Sequence, residues 1–524
     1  MLIKIDHESF VLNATGRNIG SVLHDAGIPI DMRCSGKGIC GKCEIILEYG
    51  KFEVDGSAVT IKDKPLKAKA CLTLAVDEDA VISIPKKSLA SAKLQCAEAF
   101  HLQRFDLKPE RPGIAAAVDV GTTTVAVALI DTADGALIGT ASDYNKQFKY
   151  GDNVISRIVF STEIPGNLQI LQRAVIDHTI NPLLKRLCAK NNLKPEDIQQ
   201  VSIAGNTVME HIFFGLSPES IGVIPFEPLT NIYPVTTAGE LGLLTAKNAL
   251  VKAVPSASGY IGGDITAGVL TSEIIGQSGV SVLVDIGTNC ETILVREHRV
   301  YSCASAAGPA FEGAGVSCGC RAADGAIEHI AMNGEFEFKL SIIGAVAPTG
   351  LCGSAMIDFV AESARTGLIN QFGRYDVDLL KSLGRFVQLE NNIIGCRISD
   401  DGNVFVSEKD LEQILKAKAA VFAGLQTLCQ AEKCSFDDIN RIYLAGGFAK
   451  YIEVKHAVGI GMLPAVPLER YIKIGNSSLA GAVLNAIDSG ATEKFLQITG
   501  QIENVVLNTV PEFEFNYIDA LLLP

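Results

Sequence analysis

Four cysteines near the amino terminus have the spacing of metal ligands. The pattern C-x5-C-x2-C-x27-C is formed by Cys34, Cys40, Cys43 and Cys71. Thiolates bind iron, and one CxxC pair preceded by a wide, glycine-rich loop is typical of [2Fe–2S] ligation. Structural zinc sites usually contain two CxxC pairs, which makes zinc the less favoured alternative. The spacing therefore predicts a [2Fe–2S] cluster and, with it, one-electron transfer.

The elements around these cysteines predict a small, separate α/β module. Residues 2–11 alternate in polarity as a strand does, and 18–26 have the pattern of a short helix. Further strands are predicted over residues 43–49 and 81–85. We expect residues 1–90 to form a ferredoxin-like domain of the β-grasp type.

A second kind of chemistry is indicated by two near-copies of one hairpin, AAAVDVGTTTVAVALI around Asp119 and SVLVDIGTNCETILV around Asp285. Each is an apolar strand, an Asp-x-Gly-Thr turn and a second apolar strand. Glycine lets the backbone approach a phosphate, threonine hydroxyls and amides donate to its oxygens, and the aspartates can hold Mg²⁺ through water. One such turn alone is also explained by a buried hairpin. The duplication favours a nucleotide clamp.

A third glycine turn follows the strand RIYLAGGFAKY, where Gly446, Gly447 and Phe448 are expected to flank a nucleoside and to be followed by a helix. The order of these three turns matches the superfamily of acetate and sugar kinases, heat-shock chaperones and actin. That resemblance implies a two-lobed, actin-like (ribonuclease H-like) ATPase. Between the turns, Asp264 either aligns the attacking water or Mg²⁺ or caps a helix, and Glu312 is predicted to bind ribose hydroxyls.

Composition narrows the class of protein. The net charge is −14, which argues against nucleic acid as a partner. No apolar run reaches the ~18 to 20 residues of a membrane span and the first residues do not resemble a signal peptide, so we expect a cytoplasmic protein with no membrane partner. In that reducing compartment the 14 cysteines are metal ligands or buried thiols. A subset in the clamp is expected to be buried structural thiols rather than a second cluster: Cys303, Cys318, Cys320 and Cys352.

The whole chain resembles the reductive activators of corrinoid-dependent methyl-transfer systems. The resemblance is carried by DVGTTTVAVAL, AGNTVMEHIFFG, VLVDIGTN, GPAFEGAGVSCG and YLAGGFAKY, in that order and downstream of the cysteine module. It implies a linker over residues 91–113, a middle domain over 114–279 and a C-terminal ATPase domain over 280–524. The implied reaction is ATP-dependent, one-electron reduction of an inactive Co(II) corrinoid protein to Co(I). The residues implied to hold phosphate and Mg²⁺ are Asp119, Gly121, Thr122, Thr123, Asp285, Gly287, Thr288 and Asn289.

Alternative functions and partners remain open at this point. An ATP-driven electron donor to another low-potential enzyme, similar to the activators of 2-hydroxyacyl-CoA dehydratases, is the main alternative. A small-molecule kinase with a ferredoxin appendage and a plain redox adaptor are weaker ones. No nicotinamide or flavin fingerprint is present, so electrons are expected from a separate ferredoxin or flavin reductase. The apolar tail FNYIDALLLP is assigned either to the core or to a homodimer interface.

Overall fold

The computed structural model describes residues 1–5, 8–26, 28, 30, 38, 43–85, 88, 112–313, 315–320 and 322–524. Two of the four predicted cluster ligands, Cys34 and Cys40, lie outside these residues, as does nearly all of the predicted linker. Within the described ranges, no helix has both the length and the apolar character needed to cross a membrane.

The amino-terminal module is built on a mixed, seven-stranded sheet. Its central pair, β1 and β7, is parallel, whereas β1 with β2 and β3 with its neighbours are antiparallel. Its hydrophobic cluster is drawn entirely from residues 1–84, so the module has a core of its own. Its elements are β1 (Leu2–Ile5), β2 (Glu8–Val11), α1 (Ile19–Asp25), β3 (Glu44–Val54), β4 (Ser57–Ile61), β5 (Leu66–Lys69), β6 (Thr73–Ala75) and β7 (Val81–Ser83).

The single strand predicted over residues 2–11 is wrong. The segment folds back on itself as a hairpin, in which Ile5 lies opposite Glu8. Paired residues such as Ile3 and Phe10 lie on the same face of the sheet, although an unbroken strand would place them on opposite faces. A single period-two pattern over residues 2–11 therefore cannot describe a chain that reverses direction. The helix predicted over residues 18–26 is confirmed.

The first lobe of the larger body carries a six-stranded sheet in the order β10-β9-β8-β11-β13-β12. Strands β8 to β10 form an antiparallel meander, and β11 and β13 continue the sheet in parallel from β8. Its strands are β8 (Ile114–Val120), β9 (Thr124–Asp131), β10 (Leu137–Tyr144), β11 (Ile198–Gly205), β12 (Thr236–Thr237) and β13 (Leu250–Ala253). Its helices are α2 (Val154–Glu163), α3 (Asn167–Val175), α4 (Asn181–Lys190), α5 (Thr207–Phe213), α6 (Ala238–Leu241) and α7 (Gly263–Ser272).

The second lobe repeats this plan. Strands β14 to β16 form an antiparallel meander, and β23 and β24 extend it in parallel from β14. Its strands are β14 (Val280–Ile286), β15 (Cys290–Arg296), β16 (Arg299–Ser305), β17 (Ala326–Met332), β18 (Phe338–Ile342), β19 (Gly350–Leu351), β20 (Phe386–Gln388), β21 (Ile394–Arg397), β22 (Phe405–Ser407), β23 (Ile439–Ala445), β24 (Tyr471–Gly475) and β25 (Ile502–Asn504). Its helices are α8 (Gly353–Thr366), α9 (Val377–Ser382), α10 (Glu408–Ala431), α11 (Val454–Gly459), α12 (Ser477–Ile487), α13 (Ala491–Thr499) and α14 (Glu512–Asp519). The hairpin duplication predicted from the sequence is therefore confirmed.

Two helices tie the lobes together. Helix α12 follows the second-lobe strands in the chain, yet its buried face packs on β8, β9 and β11 of the first lobe. Helix α7 precedes β14 and packs on the second-lobe sheet. The two helices contact each other where Gly481 faces Ala267, and a side chain at Gly481 would clash there. Because α7 and α12 both begin at the cleft, their N-termini bring residues distant in sequence to one site.

Candidate nucleotide and metal sites

The two Asp-x-Gly-Thr turns face each other across the cleft between the lobes. The hydroxyls of Thr123 and Thr288 are 3.3 Å apart. Between and around them lies a cavity of about 300 Å³. All thirteen residues predicted for the nucleotide site line it: Asp119, Gly121, Thr122, Thr123, Asp264, Asp285, Gly287, Thr288, Asn289, Glu312, Gly446, Gly447 and Phe448.

Asp119 is held in place by the N-terminus of α12. Asn476 Nδ2 donates to one of its carboxylate oxygens at 2.9 Å, and Ser478 Oγ donates to the other at 2.7 Å. Asn476 also caps α12 by accepting from the amide of Leu479. Sequence analysis did not assign Asn476 or Ser478 to the site. The sequence feature that could have indicated them is a further strand-to-helix turn, IKIGNSSLAG, which is similar in pattern to the glycine turn at Gly446.

The aspartates lie close enough to perturb one another. Burial raises the pKa of Asp264 to about 8. Repulsion by neighbouring carboxylates adds to this effect, and Asp285 contributes more than Asp119. Burial and Asp119 raise the pKa of Asp285 to about 7. Burial raises the pKa of Asp119 as well, against the hydrogen bonds it accepts. The helix-cap alternative for Asp264 is wrong, because α7 is capped at Gly262 and Asp264 lies in its first turn.

A further acid, Glu291, was missed by sequence analysis. It pairs with Asp285 across the β14–β15 ladder and lines the cavity. Burial, together with Asp264 and Asp285, raises its pKa well above the usual range. Its signal was an acidic residue inside the otherwise apolar strand CETILV. None of the described residues that line the cavity is Lys or Arg.

This charge pattern fits a divalent cation bound with phosphate. Six carboxyl groups line the cavity, and without a basic neighbour in its described wall their charge is electrostatically uncompensated. No three or more His, Cys, Asp or Glu side chains of the described residues are grouped tightly enough to hold a metal ion directly. Mg²⁺ usually keeps several waters and is completed by substrate phosphates, so coordination through water suits this wall.

The end of the cavity where the nucleoside was predicted contains aromatic rings and glycine. The rings of Phe311 and Phe448 are stacked, with centroids 5.4 Å apart and planes at 9°. Gly447 has open space where a Cβ would stand, and Gly446 adopts φ +91°, a conformation that favours glycine. The helix predicted after this turn begins at Val454. Glu312 accepts a hydrogen bond of 2.8 Å from Thr288 Oγ1, which ties it to the second phosphate turn.

Two of the clamp cysteines occupy positions that sequence analysis did not anticipate. Cys320 and Cys352 line the nucleotide cavity. A hydrogen bond with Cys320, together with burial, raises the pKa of the Cys352 thiol. Cys303 and Cys318 are buried.

The amino-terminal module brings two of the predicted cluster ligands together. The sulfurs of Cys43 and Cys71 are 3.3 Å apart and both side chains are buried. A disulfide has an S–S length of about 2.05 Å, whereas a metal with bonds of ~2.3 Å to sulfur spaces two tetrahedral ligands by roughly 3.8 Å. Lys69 Nζ donates to the carbonyl of Gly38. The sulfurs are therefore too far apart for a disulfide and slightly closer than two ligands of one metal, so a small shift would let both bind one metal centre.

Comparison with known proteins decides the family. The RACo middle region matches residues 114–277, and the C-terminal domain of RACo, the ASKHA domain, matches 279–524. The corrinoid activation enzyme RamQ of Eubacterium limosum is 32% identical over 422 residues, which cover 78% of this chain and 70% of RamQ. The chain belongs to the RACo family.

Two further relatives agree with this assignment. The [Co(II) methylated amine-specific corrinoid protein] reductase of Methanosarcina barkeri is 22% identical over 439 residues, covering 77% of this chain and 76% of that protein. The solved structure of a reductive activator for corrinoid, iron-sulfur protein superposes with a TM-score of 0.76 at 27% identity, covering all of this chain and 98% of that one. The predicted actin-like fold is thus confirmed for residues 279–524, which match the ASKHA domain of RACo. The ferredoxin-like assignment of residues 1–90 stays a prediction.

Proposed function

We propose that this protein reduces the inactive Co(II) form of a corrinoid protein to Co(I) in an ATP-dependent reaction, which restores methyl transfer. The observation that carries the proposal is the presence, in one RACo-family chain, of a carboxylate-lined cleft between two phosphate turns and a separate module with two adjacent buried thiols. We keep the predicted boundaries: module 1–90, linker 91–113, middle domain 114–279 and ATPase domain 280–524.

ATP binds in the cleft between the two lobes, held by the two phosphate turns and the glycine turn at Gly446. The turns at Gly121–Thr123 and Gly287–Asn289 surround the phosphates with amides and hydroxyls, while Phe448 and its glycines flank the nucleoside. Asp119, fixed by Asn476 and Ser478, and Asp285 hold Mg²⁺ through water. Asp264 faces the same cavity and orients the attacking water, so that ATP and water give ADP and phosphate.

The amino-terminal module carries the electron, on a cluster bound by cysteine thiolates. Cys34, Cys40, Cys43 and Cys71 would hold a [2Fe–2S] cluster, which supplies one-electron transfer when bound. Burial of Cys43 and Cys71 keeps water away from two of the ligands. Because α7 and α12 connect the cleft to both sheets, lobe closure on Mg-ATP can favour one docked geometry of the corrinoid complex, and hydrolysis can reset it. Electrons come from a separate ferredoxin or flavin reductase.

The decisive experiment is anaerobic electron paramagnetic resonance of a Co(II) corrinoid protein mixed with this chain and a reductant. We expect the cobalt signal to disappear only when Mg-ATP is present. Loss of the signal without ATP would identify a plain redox adaptor instead. Persistence of the signal with several corrinoid proteins, while the amino-terminal module is demonstrably reduced, would favour the ATP-driven donor to another low-potential enzyme.

The pKa values in the cleft predict how Mg-ATP binding depends on pH. In the empty cleft Asp264 and Asp285 titrate near pH 8 and pH 7, so each is partly protonated between these values. Mg²⁺ binding requires the ionised carboxylates, so about one proton is released per complex in this range. We expect the Kd for Mg-ATP to fall about tenfold from pH 7 to pH 8, above the phosphate's own titration near ~6.

Calorimetry in two buffers of different ionisation enthalpy measures the released protons directly. The variant Asp264→Asn should release fewer protons and show a shallower pH dependence. An exposed acid in the same lobe, replaced as Asp134→Asn, serves as the control that should change neither. Proton uptake on binding, or a Kd that does not change between pH 7 and pH 8, would contradict the assignment of these carboxyls to the Mg²⁺ site.

A further inference from the structure

A fully buried arginine lies directly behind the first phosphate turn. Arg157, in the first turns of α2, has no exposed surface. Its guanidinium donates to the carbonyls of Gly151 at 3.1 Å and Thr122 at 2.5 Å, and to Gln147 Oε1 at 2.9 Å. Its remaining contact is the sulfur of Met209 at 3.0 Å. Every partner is neutral, although burying a cation ordinarily requires a paired anion.

The arginine belongs to a cluster that fixes the orientation of the whole turn. Asn145 Nδ2 donates to the carbonyl of Gly121 at 2.9 Å, and the Asn145 backbone amide donates to that of Thr123 at 2.9 Å. Arg157 donates to the carbonyl of Thr122, which lies between the other two in the chain. Three consecutive carbonyls are thus drawn to the side of the turn away from the cavity. Because a trans peptide directs its N–H opposite to its carbonyl, the amides of the turn face the cavity.

The second phosphate turn has no such support among the described residues. The carbonyl of Thr288 is held by the backbone amide of Gly308 at 2.9 Å, and the amide of Gly287 bonds to the carbonyl of Asn289 at 3.0 Å. Its threonine hydroxyl donates to the acid Glu312. The two turns repeat each other in sequence, but within the part of the chain that the structure describes a buried cation lies behind the first turn and none lies behind the second.

Among the described residues, no acid forms a salt bridge with Arg157. Burial lowers its pKa to about 9, and the acids that act on it, Asp152 and Glu312, do so at longer range than a salt bridge. The position across the Thr122 peptide from the guanidinium is the cavity itself. An anion bound at the first turn would therefore add a counter-charge on the far side of this peptide, in surroundings where screening is weak.

We propose that Arg157 is a positioning residue of the ATP site, which directs the amides of residues 122–124 towards the phosphates and whose charge is balanced by those phosphates when ATP binds. The inference rests on the proposed ATP site and deepens it. Arg157 touches neither ATP nor Mg²⁺, and it acts through the turn that it holds. Its effect must therefore be large for ligands that carry phosphates and small for adenosine, which carries none.

The test compares the affinities of ATP, ADP and adenosine for the full chain, without a corrinoid protein. Arg157→Gln should weaken ATP and ADP binding by about 100-fold and adenosine binding by less than about threefold, since a charge-assisted contact to the turn is lost. Arg157→Lys keeps the charge but not the fork of donors, and should weaken ATP about tenfold. The exposed Arg173 on α3, replaced as Arg173→Gln, is the matched control and should change nothing.

A uniform loss for ATP, ADP and adenosine would overturn the proposal in favour of a structural role, and unchanged ATP affinity would overturn it outright. If the Arg157 variants do not fold, Gln147→Glu decides. That change places a carboxylate beside the guanidinium at almost constant volume but gives up the bond that Gln147 Nε2 donates to Leu171, so the ratio of ATP to adenosine affinity is the readout. The ratio should fall about tenfold, and an unchanged ratio would reject charge balancing by phosphate. The paramagnetic resonance experiment does not enter this test, so either proposal can fail without the other.

Discussion

Cys43→Ser is expected to abolish electron transfer to a corrinoid protein while ATP binds and is hydrolysed as in the wild type. Cys43 is buried, with its sulfur 3.3 Å from that of Cys71. Its carbonyl also accepts a hydrogen bond from the amide of Ala70, which links the chain segments that carry the two cysteines. A serine hydroxyl is a much poorer ligand for iron than a thiolate, so the centre held by these sulfurs should be lost or altered. We expect the rate of cobalt reduction to fall by at least about 100-fold.

The measurement pairs the loss of the Co(II) signal with the Kd and turnover of ATP for the same preparation. Cys434→Ser, a half-buried cysteine of the ATPase lobe, is the matched control and should leave both unchanged. We expect electron transfer and ATP turnover to respond independently, because the amino-terminal module has its own hydrophobic core. That core contains no residue of the ATPase body. Loss of ATP binding in Cys43→Ser would show that the two parts do not fold independently.

The features that sequence analysis predicted are those coded by residues close together in the chain. Each Asp-x-Gly-Thr turn lies between two apolar strands, so the hairpins around Asp119 and Asp285 could be recognised from about fifteen residues each. Their meeting at the cleft could be predicted as well, because a duplicated unit suggests two related lobes. The family resemblance depended on the same short motifs.

The features that it missed depend on contacts between distant segments. Asn476 and Ser478 reach Asp119 across 357 and 359 residues of chain, because α12 leaves its own lobe to pack on the other sheet. No local pattern encodes that exchange. Arg157 is similar, since its burial follows from the turn it supports and not from α2, where an arginine ordinarily faces solvent. Long-range packing therefore completes a site whose outline is local.

Asp285→Asn is expected to reduce ATP hydrolysis by at least about 100-fold while leaving reduction of the amino-terminal module unchanged. The side chain keeps its shape but loses the charge that would hold Mg²⁺ through water, and mispositioned phosphates lose most of their catalytic advantage. The thermal stability of the empty protein, in contrast, is expected to increase. Asp285 lies among Asp119, Asp264 and Glu291, and each of these carboxyls raises or is raised by a neighbour.

Removing one charge relieves that repulsion, so the empty Asp285→Asn protein should melt a few degrees higher than the wild type near pH 8, where the carboxyl is largely ionised. Near pH 6, where Asp285 is mostly protonated, the difference should shrink. Thermal melts at both pH values, together with steady-state turnover, separate the two effects, and Asp437→Asn, an exposed acid of the same lobe, is the control. A variant that is both inactive and less stable at pH 8 would indicate a structural aspartate. A more stable and inactive one means that the acids of the cleft are retained for binding Mg-ATP at a cost to the empty fold.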